Sequence, residues 1–113
     1  MTPAEAADAY LHALRTIRGA SPHTLDAYGR DLREAVPALP PDDVGAVTTA
    51  DLRAHLGALR RRGLAVATLR RKAASLRSWF AWLRHQGHLA VDPARGLRTP
   101  RGGRTLPSAP DPD

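Results

Sequence analysis

Apolar residues return every third or fourth position in four stretches of this chain, each bracketed by residues that start or stop helices. In the first, Thr2-Pro3-Ala4-Glu5 places a hydroxyl at the cap, proline at the first helical position and glutamate at the third, a capping box. Tyr10, Leu14 and Ile17 follow at helical spacing until Gly19. The second, "SPHTLDAYGRDLREAVP", repeats the device with Ser21 as cap and Pro22 after it. Leu25, Tyr28, Leu32 and Val36 make its buried stripe, and Pro37 ends it. The third starts at Thr48-Thr49-Ala50-Asp51, buries Leu52, Leu56 and Leu59, and closes on Arg60-Arg61-Arg62 before Gly63. Three cations in a last turn complement the helix dipole, so that run has a structural reason beside any binding role. The fourth is "ATLRRKAASLRSWFAWLRHQG", Ala67 to Gly87. At 100° per residue its Leu69, Ala73, Leu76, Phe80 and Leu83 fall within an arc of about 80°, with Trp79 at the edge and counted in the core. Trp82 lies off the stripe and is free to pack on a neighbouring helix or serve an interface.

Between these elements, "ALPPDDVGAV" reads as a loop from its Pro, Gly and Asp content. "HLAVDPARGL" reads as a turn with a short helical piece, Asp92 capping and Pro93 at its first position. From Arg98 onward the chain has Gly/Pro-rich clusters and no periodicity, the mark of a linker or disordered tail. No segment alternates long enough for a strand, and no repeat stands out. The expected fold is all-α: a compact bundle of four main helices over residues 1–97, with a short C-terminal helical turn and an extended tail over 98–113.

A chain of 113 residues is enough for one domain with a real core. No apolar run approaches a membrane span and the start lacks a secretory pattern, so a cytoplasmic protein without membrane association is expected. Cysteine is absent, which removes disulfides and thiolate metal sites. His12, His23, His55, His85 and His88 fit no metal-ligand spacing and read as scattered surface residues; no metal, cofactor or small-molecule substrate is expected.

Charge changes the picture when it is divided along the chain. Residues 1–59 carry five Arg against eight carboxylates, and residues 60–104 carry twelve Arg or Lys against one Asp. The chain's net charge of +6 is therefore local, and such an asymmetry points to a polyanion, nucleic acid first and an anionic membrane surface behind it. Sixteen of the seventeen basic residues are Arg, which suits bidentate phosphate contacts.

Within the fourth helix, Thr68, Arg71, Ser75 and Ser78 cluster on a second face about 80° to 160° from Leu76, and Arg70, Arg77 and Arg84 line the other flank. One strong cation among small hydroxyls lets a helix approach a phosphate backbone closely and hydrogen-bond to it. No carboxylate occurs between Asp51 and Asp92 to offset this charge. On the second helix His23, Thr24, Ala27, Arg30 and Asp31 point away from the stripe, with Thr24 near backbone N–H groups that attract phosphate. The candidate DNA-binding residues are thus Thr24, Arg30, Thr68, Arg70, Arg71, Lys72, Ser75, Arg77 and Ser78, and no catalytic residue is assigned.

Ser21, Thr24, Tyr28 and Leu32, then Thr68, Leu69, Arg71, Leu76, Arg77, Trp79, Phe80 and Leu83, with Asp92-Pro93-Ala94 and a linker-like Pro100 and Leu106-Pro107, occur in an order and spacing that resembles the N-terminal core-binding domain of tyrosine recombinases and phage integrases, especially the Xer type. The resemblance implies a four-helix, SAM-like domain that grips double-stranded DNA with its second and fourth helices in or across the major groove. It implies one half of a C-shaped clamp on a recombination half-site, with partner recombinase subunits assembling on the DNA. The nucleophilic tyrosine and its cationic helpers would belong to a separate catalytic domain, so this chain is expected to bind DNA and catalyse nothing. Two positions depart from the pattern: Lys72 lies on the edge of the apolar stripe, and Ala73 stands where a larger residue is common. A small basic module docking on an acidic protein is the competing reading. A helix-turn-helix regulator is disfavoured because no short turn joins two helices with recognition character.

Overall fold

A computed structural model describes residues 1–98. The capping signals in the sequence become helix starts. Thr2 Oγ1 accepts the Glu5 backbone N–H at 3.1 Å while Glu5 Oε1 accepts the Thr2 N–H at 2.8 Å, opening α1, Pro3–Thr16. Ser21 Oγ accepts the Thr24 N–H at 3.1 Å at the head of α2, Pro22–Ala35. Thr48 and Asp51 form a second capping box at the start of α3, Thr49–Arg61. The longest helix, α4, Val66–His85, begins without a side-chain cap. Its end is better defined: Gly87 at φ +83° lets the His88 N–H reach the Leu83 carbonyl at 2.9 Å and its own N–H reach Arg84 at 3.1 Å. Short 3₁₀ turns at Val36–Ala38 and Val44–Ala46 carry the chain from α2 to α3, the first holding the Pro37 expected to end α2. The described residues are all-helical, as expected.

The α4 stripe of Leu69, Ala73, Leu76, Phe80 and Leu83 is buried, and Trp79 with it. Trp79 reaches across to α1, where its Nε1 donates to the Ala6 carbonyl at 3.2 Å, so the core's largest side chain leaves no polar atom orphaned. Leu52, Leu56 and Leu59 bring α3 into the same core, and Leu32 and Ala35 bring α2. Trp82 packs on a neighbour, with Tyr10 of α1 at 5.5 Å between ring centroids.

Four expectations require correction. Ile17 caps α1 and is 81% exposed, because the helix ends before the next inward position. Leu25, Tyr28 and Val36 are only partly buried, packed at the margin of the core. His55 is buried rather than on the surface. Residues 93–96 form turns, not a helix; Asp92 Oδ1 accepts the Ala94 N–H at 2.8 Å, and Ala94 and Leu97 are buried beneath the bundle. Thr49 Oγ1 donates to the Pro93 carbonyl at 2.6 Å and Arg77 donates to Leu97 at 3.3 Å, which pins this segment to α3 and α4. Apart from Arg98, the expected tail over 98–113, with Pro100, Leu106 and Pro107, lies outside the described residues.

Candidate nucleic-acid interface

The feature that organises the site is a carboxylate of α2, and its burial overturns the outward placement expected of it. Asp31 has a side chain only 1% exposed and sits against one turn of α4. Its Oδ2 accepts from Arg71 and, at 3.0 Å, from the Ser75 hydroxyl; its Oδ1 accepts from Lys72 Nζ at 3.0 Å. Lys72 also donates to Glu34 Oε1 at 2.6 Å. A buried carboxylate costs several kcal/mol unless both oxygens are engaged, and this one is engaged on both. The stretch without carboxylates along α4 is therefore not uncompensated in space: Asp31 and Glu34 of α2 match two of its cations.

The candidate residues divide accordingly. Lys72, expected at the edge of the apolar stripe, and Ser75, expected on the hydroxyl face, are both interior members of this cluster, so neither stands exposed as the candidate contact it was expected to be. Arg71 straddles the boundary, with a side chain 45% exposed and one Nη committed to Asp31. Arg70 and Ser78 are exposed on α4, Arg30 is exposed on α2, and Thr68 and Thr24 are half-buried. Thr24 belongs to the α2 cap, its hydroxyl accepting from Ser21 Oγ at 3.0 Å. Arg77 is half-buried and spends one donor on the C-terminal turn.

Sequence reasoning overlooked a row of exposed alanines, Ala67, Ala74 and Ala81, seven residues apart and so on one line of α4. Arg71 and Ser78 flank it on one side, Arg70, Arg77 and Arg84 on the other. The result is a low ridge with guanidinium groups along both edges, a shape that brings the helix backbone close to a negatively charged groove. The signal for the buried cluster was also present: a lysine on the edge of an apolar stripe must be paired when buried, and Asp31 and Glu34 are three residues apart on α2.

Two buried titratable groups border the site. Tyr10 is pushed above its ordinary phenol range chiefly by burial, with Tyr28 adding and Arg18 and the Ser78 hydroxyl opposing. His55 is held below its ordinary 6.5 first by burial, with Lys72 and Arg62 acting in the same direction and Glu34 against. Among the described residues no cluster of His, Cys, Asp or Glu has the makings of a metal site, and no helix is long and apolar enough to cross a membrane.

Comparison with known proteins fits this arrangement. A family profile described as "Phage integrase, N-terminal SAM-like domain" matches residues 7–87. The chain belongs to that family. Its relatives include tyrosine recombinase XerC of Xylella fastidiosa (strain 9a5c), 40% identical over 109 residues that cover 94% of this chain and 37% of the relative. XerC of Xanthomonas campestris pv. campestris (strain B100) is 40% identical over 111 residues, covering 96% of this chain and 34% of the relative. XerC of Pseudomonas fluorescens is 36% identical over 109 residues, covering 94% and 36%. The chain thus spans about a third of the length of the curated relatives it matches. No solved structure matches it. The SAM-like domain of this chain therefore contains, as one bundle, the two helices that the sequence singled out and the carboxylate cluster that locks them together.

Proposed function

We infer that this SAM-like domain binds duplex DNA as the non-catalytic arm of a site-specific tyrosine recombinase, working on a half-site alongside partner recombinase subunits, with residues 1–97 as the binding unit and residues 98–113 as the linker. The observation that carries the reading is the exposed ridge of α4, alanine along its crest and Arg70, Arg71, Arg77 and Arg84 at its edges, on the helix that Asp31 and Glu34 tie to α2, where Arg30 is also exposed. Such a surface supplies phosphate-matching forks without long side chains to hold the duplex away. Strand cleavage is not assigned to either tyrosine here. Tyr10 is 1% exposed and its phenol is harder to ionise than usual, while Tyr28 stacks on it with centroids 6.4 Å apart.

A titration of a labelled random-sequence duplex by fluorescence anisotropy across a salt series tests the reading. With Lys72 withdrawn from the surface, about four to six phosphates are neutralised, giving a log–log slope of roughly −4 to −5. Arg70→Ala and Arg84→Ala together make that slope shallower by about two. A domain whose basic face instead docks on an acidic protein would show no salt-dependent association with duplex.

A further inference from the structure

Resting on the DNA-binding reading, we propose that Asp31 is a positioning residue that makes Arg71 a fixed reader of one base pair instead of a mobile phosphate contact. The geometry is that of a braced arm. Arg71 is half in solvent and half against α2, and the carboxylate that holds its inner edge is itself immobile: buried, with Ser75 sharing Oδ2 at 3.0 Å and Lys72 on Oδ1 at 3.0 Å. Lys72, with a side chain 8% exposed against 45% for Arg71, is the interior counter-ion, so Arg71 is not needed to satisfy Asp31 electrostatically. A guanidinium has five N–H donors, and bonding to one carboxylate oxygen leaves others directed outward. On α4 its neighbours one turn away on the exposed side, Ala67 and Ala74, are small and leave that outward edge unobstructed. An arginine held in advance loses less rotamer freedom on binding and presents its fork in one orientation, which reading the O6/N7 edge of guanine demands and a phosphate contact does not.

The test uses the whole 113-residue chain. A duplex is selected from a randomised library with the wild type, and single-base variants of it are titrated with wild type, Arg71→Lys, Asp31→Asn and the double variant. Arg71→Lys and Asp31→Asn are each expected to lose about tenfold discrimination at one and the same base pair, and the double variant no more than either alone. For Asp31→Asn, affinity for unselected duplex stays within about twofold or rises because a negative charge is removed, with the salt slope retained. A merely structural role would lower the melting temperature and leave the base preference intact, which would overturn the proposal; so would an equal loss on every duplex. If Asp31→Asn does not fold, Ser75→Ala removes one brace from the same oxygen, and an unchanged preference there is equally fatal. A wild type that binds no duplex contradicts the DNA-binding reading itself, whereas one that binds but selects no base at this position contradicts only the assignment of Arg71 and Asp31.

Discussion

At the scale of single residues, the informative side chains are those whose burial conflicts with their polarity. Lys72 is the clearest. Replacing it with methionine keeps length and apolar contacts but leaves Asp31 short of its buried counter-ion and Glu34 of its partner, and the expected cost is about 3 kcal/mol in urea unfolding. A surface lysine facing DNA would cost almost nothing. His55 gives a second outcome. Burial, Lys72 and Arg62 hold its folded pKa below 6.5 against the opposing pull of Glu34, so the unfolded chain takes up protons first as pH drops. The stability that neutral His55 contributes is complete above 6.5 and falls away below it, down to the folded value. Denaturation midpoints measured from about pH 7.5 down to about pH 5 should decline, and His55→Leu should flatten that decline. Both residues carried a hint in their own helices: Lys72 lies at the edge of the α4 stripe, and His55, three residues after Leu52 and four before Leu59, lies on their inward side of α3, a relation missed because the histidines were read only for metal-ligand spacing.

At the scale of elements, the sequence spoke plainly wherever capping chemistry was involved. Thr2, Ser21 and Thr48 start three helices with the hydrogen bonds their residue types anticipate, and Gly87 ends α4 in the left-handed region. Gly87→Ala places a Cβ at φ +83° with open space around it, so the cost is conformational alone, about 1–2 kcal/mol by thermal unfolding, with DNA affinity at a matched folded fraction unchanged. What single-helix reasoning missed was pairing between elements. A helical wheel shows α4 free of carboxylates, but α2 supplies two from outside it, so part of the apparent positive charge is spent in holding α2 against α4. The turns at 93–96 were misread for a similar reason: Asp92 and Pro93 can begin a helix, but tethers from Thr49 and Arg77 and the burial of Leu97 keep the segment against the bundle.

At the scale of the whole molecule, the four helices of the described residues enclose one core and leave exposed the basic ridge of α4 and, on the α2 that salt bridges tie to it, Arg30, which together make the surface proposed to meet DNA. The all-α bundle was legible because each apolar stripe had the helical period and each boundary had a mechanism. The division of the candidate site into interior braces and exposed contacts was not, since it depends on which helix lies beside which. The claim that this shared surface is the DNA-binding face is tested most directly by following backbone amide chemical shifts of the 113-residue chain as a short duplex is added at low salt. The account predicts perturbations concentrated at His23, Ala27 and Arg30 of α2 and at Arg70, Arg71, Ala74 and Ser78 of α4, with Glu5, Asp8 and His12 on the outer side of α1 unmoved. Shifts centred on α1, or none while the duplex remains free, would contradict it.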